Sequence, residues 1–509
     1  MQKWSEHLDG GKPHLAWDIQ STGDKTLLYI ALIALLVSRL CFQLGAAPLP
    51  DEAYYWLWGL HPSLSYYDHP PLHAWLQGLD AHIFGWTVFG LRFLTWPTTL
   101  GTIALGIWWG RRMAGSIHGA HGLATAGLYF ASPLIFIYTT IVYPDHLLIF
   151  LIYLSASFFV VFFNEFAAKR RLAAWQLYGA ALALGLAALT KYNAIFLGLG
   201  VAAAILAVPV LRPLLRSPHL YAAAGIAALI QVPVLYWNAT NGLSSFRYHL
   251  WERLHVDGPL IELSTIVAFL AASAATLSPF LLPALSAFLL RSKPAETCVA
   301  VWHLLGRWTF LLSTLTFLGL CLLVYVHFYW NVVAYLPFLP LALGYLHSPR
   351  ILRAHLIYGM VCSALFTFNY TVLPLAALVG QVDFESSRAF GWTEIGTRIA
   401  AAKQAHGAKF VASSDWQTSS QLAFALHDPD VKCFDDKTSQ FTFWPVPEQW
   451  KGEDAIILVD EPQLRTVDHV IRQHFNELEL IDTIPIVRLG KVLTTYKMYR
   501  GVSYSGNAP

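Results

Sequence analysis

The feature that most constrains this chain is a series of apolar runs, each long enough to cross a bilayer. A membrane-spanning helix needs roughly 20 apolar residues, and about eleven stretches meet that requirement. They lie near 26–44, 88–110, 122–143, 146–165, 172–190, 193–211, 220–237, 262–290, 308–326, 330–347 and 356–380. Charged residues make up only 13% of the chain, about half the fraction usual in soluble domains. The pattern predicts a polytopic α-helical membrane protein with about eleven transmembrane helices.

Basic residues predict the orientation of these spans. Every second gap is basic, and these gaps hold Arg111, Arg112, Lys169, Arg170, Arg171, Arg212, Arg216, Arg291, Lys293, Arg307, Arg350 and Arg353. Cytoplasmic loops are enriched in Lys and Arg, so the N-terminal tail (1–25), with Lys3, Lys12 and Lys25, is expected inside. An odd number of spans then places the C-terminus outside. All the polar motifs discussed below, and His327, fall in the remaining gaps and therefore on the outer face.

Two outer regions are long enough to fold beyond the spans. The first outer loop, about 45–87, is rich in Trp and Tyr, as is typical of segments at the membrane interface. Residues 381–509 follow the last span of the transmembrane region (26–380) and are predicted to form a small α/β domain outside the membrane. Its predicted helices are Trp392–His406 and Gln463–Phe475, and its predicted strands are Lys409–Ser413, Asp454–Asp460 and two or more within Leu478–Met498. This tail has no Gly-rich phosphate loop and no nucleophile elbow, and a net charge of +2 gives no reason to expect nucleic acid.

Two acidic motifs lie in the first outer loop. Asp51 and Glu52 precede an aromatic-rich helix, where they could cap its first turn or act chemically. Asp68 and His69 precede Pro70 and Pro71. That turn is either a rigid, solvated turn or a preorganised one that directs a carboxylate and an imidazole into a cavity.

Further ionisable residues lie at the outer ends of later spans. Asp145 is explained either by a helix cap after Pro144 or by function, because ionisable groups near the membrane core are costly and usually paired or functional. Lys191 could simply extend its ammonium to the interface. The segment Ser245–Arg253 presents Arg247, His249 and Arg253 among aromatic residues, which also fits a surface amphipathic helix.

Together these groups suit a reaction at a lipid-anchored phosphate. A carboxylate can act as general base on an acceptor hydroxyl, and cationic side chains can offset the charge on a departing phosphate. Such chemistry requires no cofactor. A divalent metal held by Asp68, Asp145 and His249 is a further hypothesis, which no ligand spacing supports.

Five motifs occur in order on the predicted outer face. They are Asp51-Glu-Ala-Tyr-Tyr-Trp, Tyr67-Asp-His-Pro-Pro-Leu, Tyr143-Pro-Asp-His-Leu-Leu, Leu189-Thr-Lys-Tyr-Asn and Val234-Leu-Tyr-Trp-Asn. They resemble glycosyltransferase family 39, the bacterial branch of the dolichyl-phosphate-mannose protein mannosyltransferase superfamily with a GT-C fold. The aminoarabinose and galacturonic acid transferases of lipid A and lipopolysaccharide core belong to the same group. The resemblance is strong over residues 45 to 255 and looser elsewhere.

The resemblance implies inverting sugar transfer from a polyprenyl-phosphate donor. Asp51 matches the family's catalytic base, with Glu52 beside it, and Lys191 matches a lysine that binds the lipid phosphate. His69 stands where aminoarabinose transferases carry a lysine, so it supplies a cation only when protonated, and the difference also fits another donor sugar. The predicted donor-binding set is His69, Lys191, Arg247 and Arg253, and the predicted cavity and acceptor set is Asp68, Asp145 and His249.

The resulting hypothesis is a glycosyltransferase of the bacterial inner membrane whose active site and C-terminal domain are periplasmic. Its expected partners are membrane lipids, a polyprenyl-phosphate sugar and an acceptor such as lipid A, lipopolysaccharide or a related glycan. A protein O-mannosyltransferase-like enzyme is the enzymatic alternative. The non-enzymatic alternative is a transporter or flippase of lipid-linked sugars, for which internal repeats and polar groups near the bilayer midplane would be expected.

Overall fold

The computed structural model describes residues 22–114, 121–169, 173–254, 263–290 and 298–506. Most of the predicted cytoplasmic N-terminal tail, including Lys3 and Lys12, lies outside the described residues. The same holds for four of the basic residues that predicted the orientation, namely Arg170, Arg171, Arg291 and Lys293.

Helices account for most of the chain. In chain order they are α1 (Thr22–Gly45), α2 (Pro50–Leu60), α3 (Leu72–Phe84), α4 (Val88–Phe93), α5 (Thr95–Ala114), α6 (His121–Phe130), α7 (Pro133–Thr140), α8 (Pro144–Lys169), α9 (Ala174–Ala188), α10 (Ile195–Ala207), α11 (Pro218–Leu229), α12 (Val232–Thr240), α13 (Ser244–Leu250), α14 (Leu263–Leu277), α15 (Leu282–Leu290), α16 (Cys298–Cys321), α17 (Val332–Tyr335), α18 (Leu339–Tyr345), α19 (Pro349–Thr371), α20 (Leu375–Leu378), α21 (Phe384–Ser387), α22 (Trp392–Ala405), α23 (Trp416–Leu426) and α24 (Leu464–His469).

Fewer helices are long enough to cross a bilayer than the sequence predicts. Within the described residues, four have the necessary length and apolar character: Thr22–Gly45, Pro144–Ala168, Ala300–Cys321 and Pro349–Thr371. Three further pairs, α6 with α7, α11 with α12, and α14 with the segment Pro279–Leu290, are bent by 77°, 44° and 89° and raise the number to seven if each pair is one span. A proline lies at or just after each break, where it removes a backbone hydrogen bond and bends the helix. These helices fit a polytopic membrane protein, and the number eleven stays a prediction.

The chain divides into two compact units. Among the described residues, the first unit comprises those up to Val37, those of His69–Leu72 and those between Thr95 and Ser363, and the second comprises Ser38–Asp68, His73–Leu94 and the described residues from Ala364 onward. Much of the first outer loop thus belongs to the same unit as the C-terminal tail. The predicted division at residue 381, which concerns position relative to the membrane, stays a prediction.

The second unit is built on a mixed sheet. Its strands are β1 (Phe410–Ser413), β2 (Lys432–Cys433), β3 (Ala455–Asp460), β4 (Phe475–Arg488) and β5 (Lys491–Tyr504), in the order β2-β1-β3-β5-β4. The first three are parallel, and β5 is antiparallel to both β3 and β4. Its core includes Phe410, Ile457, Val459, Phe475 and Tyr504.

Helix α2 of the first outer loop packs against α23 of the tail within this unit. A hydrogen bond reinforces the packing, because the Gln421 side-chain amide donates to the Pro48 carbonyl over 2.8 Å. The aromatic residues that suggested a segment at the membrane interface, among them Tyr54, Trp56 and Trp58, are buried in this unit.

Candidate active site

In the second unit, Asp51 and Glu52 occupy the first turn of α2. The helix follows an extended residue, Leu49, and has Pro50 as its first residue, a favoured start because proline has no N–H to satisfy. Glu52 is fully buried, and its Oε2 accepts a hydrogen bond from the Leu49 N–H over 2.9 Å. Asp51 is half-buried. The two adjacent acids therefore lie in different environments.

Arg92 holds Glu52 in place. Its Nη2 lies 2.6 Å from Glu52 Oε2, and its Nε donates to Oε1 over 3.1 Å. The same guanidinium donates to the carbonyls of Phe42, Gln43, Ala46 and Ala47 at the end of α1, over 3.0 to 3.4 Å. Arg92 therefore connects the end of α1 to the start of α2.

The sequence reasoning missed Arg92, although a signal was present. The residue falls inside the predicted span 88–110, and an ionisable group in a span requires a partner. Glu52, predicted as catalytic beside Asp51, has that partner and a capping contact. Its catalytic role stays a prediction, and the geometry gives it a structural one.

Asp68 is held by a hydrogen-bond network within the same unit. The Tyr54 hydroxyl donates to Asp68 Oδ2 over 2.9 Å and accepts the Gln440 N–H over 2.6 Å. Gln440 Oε1 in turn accepts the Tyr67 N–H over 2.8 Å. Burial, followed by the Asp68 charge, raises the pKa of Tyr54 well above its ordinary value, which keeps this phenol protonated as a donor.

In the first unit, Asp145 and Lys191 form a buried ion pair. Asp145 is the second residue of α8, and Lys191 is an extended residue just after α9. Lys191 Nζ lies 2.8 Å from each oxygen of Asp145. Lys191 is only 5% exposed, so its ammonium is held against Asp145 and does not extend to solvent.

Two neighbouring aromatic rings hold two cations. Lys191 Nζ lies 4.9 Å from the centre of the Tyr329 ring, and Arg253 Cζ lies 3.9 Å from the centre of the Trp330 ring. Cations over aromatic faces are stabilised by the ring quadrupole. Asn193 fixes this segment through a 2.6 Å hydrogen bond from its side-chain amide to the Trp330 carbonyl. The structure therefore brings Lys191 and Arg253 together through Tyr329 and Trp330, which sequence reasoning did not single out.

His327 precedes these rings and is neutral near pH 7. Burial is the main cause that lowers its pKa to about 4, and the positive charges of Arg253 and Lys191 lower it further. The ring of His327 lies 5.4 Å from the Tyr329 ring and 5.3 Å from the Trp330 ring, measured between centroids. Lys191, Arg253, Asp145 and His327 form a cluster around the Tyr329 and Trp330 rings. Because His327 is neutral, the net charge of this cluster comes from Lys191, Arg253 and Asp145.

His69 and His249 form a second contact in the first unit. Their rings are stacked with centroids 6.2 Å apart, and His249 packs edge-on against Tyr192 at 5.2 Å. The turn that carries His69 is held by a 3.0 Å hydrogen bond from the Leu72 N–H to the Leu189 carbonyl. His249 therefore connects His69 to the residue that follows Lys191.

The predicted site residues thus divide between the units. His69, Asp145, Lys191, His249 and Arg253 make the contacts described above in the first unit. Arg247 belongs to the same unit and lies on the exposed side of α13. Asp51, Glu52 and Asp68 belong to the second unit.

The metal hypothesis gains no support from these positions. Within the part of the chain that the structure describes, no three His, Cys, Asp or Glu side chains are grouped so that they could hold a metal ion. Both oxygens of Asp145 are also engaged by Lys191. Metal binding by Asp68, Asp145 and His249 stays an untested prediction.

Comparison with known proteins bears on the resemblance. The family described as dolichyl-phosphate-mannose-protein mannosyltransferase matches residues 68–237. Lipid A galacturonosyltransferase RgtD of Rhizobium johnstonii is 26% identical over 393 residues, which cover 75% of this chain and 79% of that protein. The predicted resemblance is confirmed. These matches support a glycosyltransferase that is similar to family 39.

Solved structures identify the fold of this glycosyltransferase. ArnT from Cupriavidus metallidurans in the apo state aligns with a TM-score of 0.60 and 15% identity, covering 93% of this chain and 97% of that one. ArnT from the same organism bound to undecaprenyl phosphate aligns with a TM-score of 0.61 and 14% identity, covering 95% and 99%. The glycosyltransferase has the ArnT-like GT-C fold of a polytopic membrane protein, as the resemblance implied.

Proposed function

We propose that this glycosyltransferase transfers a sugar from a polyprenyl-phosphate donor to lipid A or a related envelope glycan. The name of RgtD, a lipid A galacturonosyltransferase, supports the acceptor, and undecaprenyl phosphate bound to ArnT supports the donor class. The alternating basic gaps support a bacterial inner-membrane enzyme that acts on the periplasmic face. A protein acceptor, after the description of the matching family, is the alternative.

The observation that carries the proposal is the pair of cations beside Tyr329 and Trp330. A lysine ammonium has three donors and a guanidinium has five. Two donors of Lys191 can be directed to Asp145, which leaves one for a phosphate oxygen, and Arg253 supplies further donors nearby. Because His327 is neutral and Asp145 offsets one charge, the cluster carries a net charge of about +1. A site with this charge attracts an anion, but the folded protein does not require a bound anion to be stable.

In the proposed reaction, Asp51 accepts the proton of the acceptor hydroxyl as that oxygen attacks the anomeric carbon. The bond between that carbon and the phosphate oxygen breaks, and the polyprenyl phosphate leaves with both electrons of that bond. Lys191 and Arg253 stabilise its developing negative charge, with His69 and Arg247 as further donor contacts. Asp68, Asp145 and His249 are assigned to the cavity and acceptor side. Cationic side chains supply the charge stabilisation, so the proposed reaction includes no cofactor.

Mass spectrometry of lipid A from a deletion strain tests this proposal. Complementation with the wild-type gene is expected to restore a sugar-bearing lipid A species, whereas D51N is expected to leave lipid A unmodified because an amide cannot accept the proton. The matched control is D24N. It alters another first-turn carboxylate, which pairs with Arg353 at 2.6 Å and has no proposed catalytic role.

Two outcomes would contradict the proposal. Full modification by D51N, at a protein level equal to that of D24N, would remove Asp51 as the base. An unchanged lipid A in the deletion strain, together with loss of sugar from envelope proteins, would replace the proposed acceptor with protein.

A further inference from the structure

The turn between β4 and β5 departs from the chemistry that such turns favour. Its two residues, Leu489 and Gly490, have φ values of 48° and 74°. Two-residue hairpin turns with both φ values positive favour Asn, Asp and Gly, because other side chains are strained there. Leu489 adopts this strained backbone conformation, and yet the residue is 71% exposed. Contacts within the chain therefore do not account for a large apolar side chain at this position.

Other exposed apolar residues accompany Leu489. Val487 and Val492 form the second pair below the turn, after Arg488 and Lys491, and both valines are exposed. Leu378, Val379 and Val382, which follow α20 or end it, are exposed as well. We call these six residues the hairpin patch. Exposed apolar clusters of this kind commonly mark binding or membrane-contact surfaces.

Two basic residues attach the hairpin to the segment that follows α19. Arg488 Nε donates to the Val372 carbonyl over 3.4 Å, and the Lys491 ammonium donates to the Ala377 carbonyl. Val372 comes directly after Thr371, the last residue of a helix that is long and apolar enough to span the membrane. The hairpin patch and this helix end both belong to the second unit. The hairpin patch therefore lies beside the end of a helix that is long and apolar enough to cross a bilayer.

We propose that the hairpin patch inserts into the boundary between headgroups and acyl chains of the bilayer that α19 spans. Its continuity with the end of α19 is the reason for choosing this lipid surface over another protein. The composition agrees, because apolar side chains at this depth meet acyl chains while Arg and Lys lie at the level of lipid phosphates. The insertion would account for the strained leucine, because Leu489 lies at the tip of the hairpin and its side chain would enter the bilayer deepest. The second unit is thereby attached to the membrane at the hairpin as well as through its helices.

Spin labels test this insertion in the full-length protein reconstituted into liposomes of phosphatidylethanolamine and phosphatidylglycerol. A label is attached to L489C or V379C in a background without the native cysteines, and its accessibility to oxygen and to a water-soluble nickel complex is measured. The matched control is L480C, which lies on the same strand, is 53% exposed and is roughly 30 Å from the turn along β4. Labels at 489 and 379 are expected to show a several-fold higher ratio of oxygen to nickel accessibility than the label at 480.

Equal ratios at 489 and 480 would overturn the proposal. Strong dipolar broadening of the label at 489, combined with a water-like ratio, would also overturn it and would assign the hairpin patch to a second copy of the chain. Recovery of each labelled variant as a monodisperse protein in detergent confirms that the comparison concerns folded molecules.

Discussion

Two buried ion pairs, one in each unit, lie at motifs that the sequence marked as functional, yet they differ in what surrounds them. In the second unit, the pair of Glu52 and Arg92 is enclosed, because Arg92 also contacts four carbonyls and Glu52 also caps α2. In the first unit, the pair of Asp145 and Lys191 lies beside the Tyr329 ring and a second cation, Arg253, with its own aromatic neighbour.

Burial and charge alone therefore do not identify a catalytic group. Most donors and acceptors of Glu52 and Arg92 are used by the chain itself, which is the arrangement expected of a structural connection. Lys191 keeps a donor for another acceptor, and a neighbouring cation makes an anion the natural choice. Glu52 therefore positions the start of α2, and Asp145 positions Lys191, the proposed phosphate-binding group.

E52Q is expected to change the protein most, through a loss of stability. Removing one partner of a buried ion pair typically costs about 3–5 kcal/mol because the other charge stays buried. The melting temperature of E52Q in detergent is therefore expected to be much lower than that of the wild type. The control is E394Q, which breaks an exposed pair with Arg398 on α22 and should cost less than about 0.5 kcal/mol. If E52Q unfolded like the wild type and yet lost sugar transfer, Glu52 would be a catalytic group and the contrast between the pairs would fail.

The next effect concerns activity in K191Q. Removing a charged donor from a developing negative charge is expected to lower the rate of sugar transfer roughly 10²–10³-fold, measured per folded molecule in membranes. K191R keeps the charge, so it is expected to retain more activity than K191Q. Equal activities of K191Q and the wild type would show that Lys191 serves Asp145 alone, which would make the two pairs alike.

The smallest effect is a pH dependence from His327. The unfolded chain binds this proton near pH 6.5 and the folded chain only near pH 4, so the unfolded state carries more protons between these values. The free energy of unfolding therefore rises with pH in that window, by at most about 1.4 kcal/mol per pH unit and by less for a partly exposed ring. H327Q is expected to flatten the dependence of the melting temperature on pH between 4 and 6.5. An unchanged slope would mean that burial and the nearby cations do not keep His327 neutral in the folded chain.

The C-terminal tail shows which secondary-structure elements local sequence patterns can predict. Strands were predicted at Lys409–Ser413 and Asp454–Asp460, and the structure has them at Phe410–Ser413 and Ala455–Asp460. These short apolar runs are bounded by polar residues, which makes their ends visible in sequence. The predicted helix Gln463–Phe475 is instead a short helix, Leu464–His469, with 3-10 turns on either side.

Long-range pairing was beyond the sequence. The basic gaps predicted that Asp145 and Lys191 lie on one face, but 46 residues separate them, and no local rule joins residues so far apart. The same limit hid the packing of α2 on α23. Bent helices were missed for another reason: hydropathy reports an apolar run and does not report the direction that the run takes after a proline.

Arg92 has a consequence for comparing this chain with its relatives. The Arg92 guanidinium binds the carbonyls at the end of α1 and neutralises Glu52 in the first turn of α2. Replacing either Glu52 or Arg92 alone would therefore leave an unpaired charge in the interior. In an alignment, the two positions should therefore change together, although 40 residues separate them. A relative that keeps an aspartate at position 51 but lacks both Glu52 and Arg92 would need another way to fix the first turn of α2. Covariation at these two columns is thus a simple criterion for sorting distant sequences of this group.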